Sequence, residues 1–349
     1  MKKQLSEGIK ISVVMALHNS EEYVEDAICS VLNQTFSNFE LIIVNDASGD
    51  NSLEVVKKIA EKDHRVVVID LIKNIGVSNA RNVALDKAKG EFIVIMDSDD
   101  VCKPDRLEVQ IDFLEKNPDY GVCGSWMQIL NENGEQEVWR SPTDHFDILA
   151  HQLFYNAIYN PTVMIRASIL RESNISYDTS YVVAEDYNLW YSLHKLCKFK
   201  NIPKVLLLYR KLNDGKSLSF DPRMRDMTNR VIKNFISELE LGKKDNHLAI
   251  HFAISSWDKF YLLNNKNSYE NWVEQITLAN SLTNYTSEEA MQKLFIDYEN
   301  KLKRFDSHAL AYLLDKHFGI TRYTDPNKLV MIIQKVSSVL PKKFIAKFL

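Results

Sequence analysis

The chain has 349 residues, of which 45% are hydrophobic and 26% charged, and a formal net charge of -4. That length can bury at least one full core and suggests two domains, while the small net charge offers no general basic surface and so argues against nucleic acid as the main partner. Cys29, Cys102, Cys123 and Cys197 show no CxxC or zinc-type spacing and fit a reducing compartment. No secretory stretch follows Met1, and no apolar run reaches the roughly 20 residues that span a bilayer. A cytoplasmic protein is expected.

Four apolar runs, Ile11 to Leu17, Phe39 to Val44, Val66 to Leu71 and Phe92 to Met96, alternate with stretches of helical spacing. Runs that are apolar throughout suit parallel strands covered on both faces. Val24, Ile28, Val31 and Leu32 share a helical face, with Asn19 and Glu22 spaced as a capping-box start. Further helices are expected at Ser52 to Lys62 and Val77 to Lys89, which makes the first hundred residues a βαβαβαβ sheet. In such sheets ligands bind beyond the carboxyl ends of the strands. The residues to watch are therefore His18-Asn19, Asn45-Asp46 and Asp97-Ser98-Asp99-Asp100.

The acidic cluster puts carboxylates at the tip of a buried strand, where a hard divalent cation such as Mn²⁺ or Mg²⁺ would relieve their repulsion. A solvated acidic turn is the plainer reading of so short a pattern. Beyond about Asp221-Pro222 strand patterns vanish. Amphipathic stretches follow at Met224 to Leu241, His247 to Leu263, Thr286 to Phe305 and Ser307 to Phe318, with Thr286 and Glu289 spaced as a capping box. The expected division is residues 1–222 as an α/β domain and 223–349 as a mostly helical one. His247 and His251, one turn apart, more readily occupy an ordinary helix face than a metal site.

Several segments, in order over roughly residues 9 to 220, resemble the family 2 glycosyltransferases with the Rossmann-like GT-A fold. Ile11 to Asn19 is similar to that family's opening strand and loop, Val44-Asn45-Asp46-Ala47-Ser48 to its base-facing segment, and Asn74 to Asn82 to the loop and helix beside the nucleotide. Gly90-Glu91-Phe92 leads into the DxD as the family pattern does, and Val183 to Trp190 resembles its Glu-Asp motif.

The resemblance implies a nucleotide-diphosphate sugar donor, UDP first, and a saccharide or lipid-linked saccharide acceptor in bacterial surface glycan assembly. On the donor side it implies Ala16, His18, Asn19, Asp46, Asn74, Arg81, Asp97, Ser98 and Arg210, with Asp46 on the base, Asp97 on the ribose side, and Asp97 and Asp99 at a Mn²⁺ or Mg²⁺ ion. Asp186, with Glu185 beside it, is implied as the catalytic base of an inverting displacement, and Trp190 and Asn160 as acceptor contacts. The residues alone also allow Asp46 as a turn or cap, Arg81 as a structural ion pair, Asp186 as a helix start and Trp190 as core.

Two departures stand out. Ala16 and His18 replace a more usual proline and tyrosine. Leu212 occupies the place where many relatives carry a histidine near the metal, leaving the third ligand open, with Arg210, Lys211 or Lys216 available to neutralise phosphate. A processive synthase would need membrane spans and a QxxRW-type motif, and a nucleotidyltransferase a glycine-rich first loop. Neither pattern is present. The remaining alternative is a GT-A-like protein that holds nucleotide without turnover. The lysine-studded stretch Leu329 to Leu349 suits the inner membrane surface, its own domain or a second subunit of a homodimer equally well.

Overall fold

A computed structural model describes residues 8–130, 137–211, 222–241, 246–259, 262 and 265–318, with backbone alone at 246–247 and 304–318. The chain divides into two compact units, residues 1–236 and 237–349.

The first unit opens as strand β1 (Ile11–Leu17), helix α1 (Val24–Leu32), β2 (Phe39–Asn45), α2 (Ser52–Ala60), β3 (Val66–Asp70), α3 (Val77–Lys87) and β4 (Phe92–Asp97). These strands are parallel, and β1 lies between β2 and β4. Burial on both faces explains why β1, β2 and β4 are almost entirely apolar. Each side chain so enclosed contributes about 1.5–3 kcal/mol relative to an exposed position. Gly90 permits the entry to β4, since a Cβ there would lie 2.5 Å from the Ser12 amide nitrogen.

Helix α1 starts later than the capping-box spacing suggests. Its first residue is Val24, and no side chain caps it. Asn19 instead takes a left-handed backbone, φ 52°, and its side-chain oxygen accepts from the Gly49 amide at 2.7 Å, tying the loops after β1 and β2 together.

The remainder of this unit is β5 (Val101–Cys102), α4 (Arg106–Lys116), β6 (Tyr120–Leu130), β7 (Val138–Trp139), α5 (His145–Gln152), a 3-10 turn (Asn160–Thr162), β8 (Met164–Arg166), α6 (Ala167–Ser173), α7 (Glu185–Leu193), β9 (Lys198–Arg210) and α8 (Met224–Ser237), whose last residue begins the second unit. The sheet runs β3-β2-β1-β4-β8-β6-β9-β5, with β7 paired to β6. Its second half is mixed: β8 is antiparallel to β4 and to β6, β9 parallel to β6, and β5 antiparallel to β9. Strand β9 carries Pro203, and the β6–β9 register shifts where its partner Ser125 gives way to Trp126, as a residue without an N–H requires. Phe235 of α8 stacks on Tyr187 of α7 at 5.5 Å.

In the second unit every described element is helical: α9 (Asn246–Ser255), α10 (Lys266–Thr283) and α11 (Glu288–Phe318). The expected break near residues 305–307 is absent, and α11 is continuous. Ser287, not Thr286, caps it by accepting from the Ala290 amide at 3.2 Å, while Thr286 is buried with its amide on the Asn280 side chain. His251 is fully buried and accepts from the Trp272 indole at 3.1 Å. It is a core histidine, and the His247 side chain lies outside the described residues. No helix of the described residues is long and apolar enough to cross a membrane.

Candidate active site

The register of the parallel strands fixes the site. Ala16 pairs with Val44 on one side and Asp97 on the other, so the chain leaves β1, β2 and β4 at one edge of the sheet. His18, Asp46 and Asp97 to Asp100 all gather there.

On the β2 side, Asp46 is 3% exposed, and its two carboxylate oxygens accept from the amides of Ile75 at 2.7 Å and Gly76 at 2.9 Å. It clamps the loop that opens α3. Gly76 takes φ +87°, a conformation that costs glycine little. His18 is exposed and donates from Nδ1 to the Asp46 carbonyl at 2.9 Å, while its Nε2 accepts from Asn19 at 3.2 Å. Asn74 donates to the same carbonyl at 3.2 Å. His18 and Asn74 thus offer an exposed, polar, ring-bearing rim over a buried carboxylate.

On the β4 side, burial first and Asp97 second push the Asp99 carboxyl up to about 6. Asp100 is fully buried. One of its oxygens accepts from the Arg210 amide at 2.9 Å, the other has no partner, and its pKa is raised well above the usual range by burial. Asp100 therefore ties the end of β9 to the acidic loop. Arg210 donates from Nε to the Asp99 carbonyl at 2.9 Å and lies over the Tyr23 ring at 4.8 Å. The Ser98 and Ser20 hydroxyls are 2.8 Å apart and link the loop to the segment after β1.

Arg81 is the hub. It projects from α3, is 5% exposed, and donates to Asp97 at 2.8 Å and to Glu185 at 2.5 Å. Two carboxylates far apart in sequence are thereby held within the span of one guanidinium. Asn160 lies beside it: with its amide oxygen toward Arg81 it accepts from both terminal nitrogens at 3.3 Å and donates to the Tyr177 hydroxyl at 2.9 Å. Asn160 is itself buried, so it supports the hub and offers no surface to an acceptor.

Beyond Arg81 lies the start of α7. Ala184 precedes it with a left-handed backbone, φ 58°, which costs a residue with a Cβ about 1–2 kcal/mol. Ala47, directly after Asp46, has φ 54°. Strain held at both acidic positions fits functional turns. Glu185 is buried in its ion pair, whereas Asp186 keeps part of its surface accessible. Asp186 accepts from the Asn156 amide group at 2.8 Å and from the Tyr187 amide at 2.7 Å. Burial, followed by the Glu185 charge, raises its pKa to about 7.

Trp190 corrects the acceptor assignment. Its exposure is 0%, and its indole donates to the Ile158 carbonyl at 3.2 Å. It is core, enclosed with Tyr187, Leu189 and Leu193 of the same helix. Residues absent from the sequence reading are Asn156, which holds Asp186, and Tyr209, Trp139 and Tyr159, whose rings cluster beside the site. Trp139 stacks on Tyr209 at 6.4 Å and leans on Tyr159 at 6.1 Å. Only Tyr209 carried a signal, its position next to Arg210. Leu212, Lys216 and Leu329 to Leu349 lie outside the described residues. Among the described residues no group of three His, Cys, Asp or Glu side chains is arranged to hold a metal.

The profile of the family described as "Glycosyl transferase family 2" matches residues 12–172. An uncharacterized glycosyltransferase of Haemophilus influenzae is 32% identical over 236 residues, covering 65% of this chain and 73% of that protein. The O-antigen biosynthesis glycosyltransferase WbnJ of Escherichia coli is 35% identical over 242 residues, 65% of this chain and 92% of that protein. Among solved structures, S. aureus TarS 1-349 in complex with UDP-GlcNAc is similar with a TM-score of 0.57 at 21% identity, covering 86% of this chain and 92% of that one. That likeness identifies the fold as GT-A.

Proposed function

The chain belongs to glycosyltransferase family 2, and we propose that it moves a single sugar, with inversion, from a nucleotide-diphosphate donor to a hydroxyl of an acceptor saccharide. A UDP-sugar is the first candidate donor, since the similar TarS structure holds UDP-GlcNAc. Bacterial surface glycan is the proposed setting, on the strength of the O-antigen relative.

The observation that carries the reading is the Arg81 bridge, which sets a donor-side carboxylate, Asp97, and the segment bearing Asp186 on one rigid support. His18, Asn74 and the loop clamped by Asp46 form the base pocket. Asn19 and Ala16 shape the chain beneath it.

The donor set at the acidic loop fits a divalent cation: all its donors are oxygens, Asp99 is pushed up by burial and then by the neighbouring Asp97 carboxylate, and a buried Asp100 oxygen lacks a partner. Asp97 and Asp99 would hold Mn²⁺ or Mg²⁺, with Ser98 between them. Bound there, the cation supplies positive charge against the charge growing on the departing diphosphate. Arg210 adds a second cationic group at the same loop.

Asp186 performs the proton transfer. As the acceptor oxygen bonds to the anomeric carbon and the bond from that carbon to the diphosphate oxygen breaks, the hydroxyl proton passes to the Asp186 carboxylate. A pKa near 7 makes Asp186 a stronger base than an ordinary carboxylate while leaving much of it ionised at neutral pH. Glu185, committed to Arg81, orients the pair and does not take the proton.

Melting temperature against a panel of nucleotide diphosphates and nucleotide sugars, with and without Mn²⁺, tests this reading. A metal-dependent rise with one nucleotide is expected. No rise with any member of the panel would contradict it.

A further inference from the structure

The aromatic cluster beside the two acidic groups is assembled by the sheet. Trp139 of β7 pairs opposite Met127 of β6, and Tyr209 of β9 pairs opposite Ile129, two positions further along the same strand. Alternation along β6 puts Met127 and Ile129 on one face, and both are buried. The two rings therefore rest on a fixed apolar floor, nearly parallel at 22°. Trp139, Tyr159 and Tyr209 are all only partly buried.

Each tyrosine is also one residue from the acidic machinery. Arg210, after Tyr209, donates its amide to Asp100, and Asn160, after Tyr159, lies against Arg81. The short segment carrying Tyr159 touches the α7 side as well, through Asn156 on Asp186 and the Ile158 carbonyl on Trp190. Tyr209 registers both groups electrically. Burial first, and then the charges of Asp100, Asp97, Asp99 and Asp186, raise its hydroxyl pKa. Flat apolar surface next to a base that must meet a sugar hydroxyl suits the C–H face of a pyranose ring, with the sugar's edge hydroxyls left to polar partners.

We propose that Trp139 and Tyr209 form a stacking platform for the acceptor sugar, holding its ring so that one hydroxyl faces Asp186. The proposal rests on the glycosyl-transfer reading and assigns the acceptor side of that site to named residues.

Saturation-transfer NMR of the full chain with UDP and Mn²⁺ present, against a panel of hexoses, N-acetylhexosamines and their disaccharides, tests it. At least one saccharide is expected to receive saturation from the wild type. Trp139→Ala and Trp139→Leu are both expected to weaken that binding about ten-fold or more, while the melting shift produced by UDP stays as in the wild type. Trp139→Leu keeps apolar volume on β7 and so separates loss of the flat face from loss of packing. The proposal is overturned if no saccharide is saturated by the wild type, or if both variants bind as the wild type does. Failure of the glycosyl-transfer reading reads out separately, as absence of any nucleotide shift and of any donor turnover in the wild type.

Discussion

Arg81 and Glu185, 104 residues apart in the chain, meet at 2.5 Å in a buried ion pair. The same guanidinium holds Asp97, so the acidic end of β4 and the start of α7 share one cation. The paired carboxylates also keep the arginine charged, its pKa raised above the ordinary value despite burial.

Removing that cation leaves two carboxylates without a partner. Arg81→Met is expected to lose about 3–5 kcal/mol of stability, as other broken buried pairs do. Arg81→Lys, which keeps the charge without the fork, should lose less. Adding Glu185→Gln to Arg81→Met should recover part of the loss. Urea unfolding measures each, and an Arg81→Met loss under about 1 kcal/mol would show that the bridge does not hold the site.

Asp186 has a folded-state pKa near 7 against an ordinary 3.8. Folding therefore favours its protonated form, a contribution fully present below about 3.8 and lost as pH rises through 7. Asp186→Asn should be more stable than the wild type at pH 8, by up to about 4 kcal/mol, with the difference closing toward pH 4. Thermal unfolding across pH reads this directly. A variant less stable at pH 8 than at pH 5, relative to wild type, runs against the assignment.

Asn156 donates to Asp186 and thereby favours its ionised form. Asn156→Ala should move the acid limb of kcat/KM upward by about one pH unit, since a hydrogen bond to a charged group contributes about 1.5–3 kcal/mol. Nucleotide binding should be unchanged. An unmoved limb with a lowered rate would mean that Asn156 acts only on packing.

Ala184 sits in the left-handed region at the start of α7. Ala184→Gly should leave the melting temperature unchanged or raise it, because relief of strain offsets the added freedom of the unfolded chain. Ala184→Val should lower it by several degrees, an exchange worth more than about 1 kcal/mol. Equal melting temperatures for the two would remove the strain argument.

The parallel half of the sheet was legible because strands covered on both faces must be apolar, so β1, β2 and β4 stand out as runs. The edge strand β3 is legible from its valines although much of it is exposed. The mixed half was not. β9 carries lysines, an asparagine and Pro203 through a bulge, and β5 and β7 are two residues each, too short for periodicity. The acidic residues were readable as types at the ends of elements, but their partnerships were not. Whether Arg81 meets Asp97, Glu185 or both depends on how α3 packs against α7, which local spacing does not encode. Trp190 shows the same limit, since its place on α7 does not tell an enclosed indole from one free to meet an acceptor. The Trp139 and Tyr209 pair arises only through pairing across β6, and so left no local trace.

In the proposed reaction a nucleotide sugar held at Asp97 and Asp99 loses its sugar to an acceptor deprotonated by Asp186. Release of nucleotide diphosphate during transfer, measured for wild type, Asp99→Asn and Asp186→Asn alongside the affinity of each for the nucleotide with Mn²⁺, tests it most directly. Asp99→Asn is expected to lose affinity, whereas Asp186→Asn should bind nucleotide as the wild type does and transfer about 10²–10⁴-fold more slowly. Full transfer by a folded Asp186→Asn protein would contradict it.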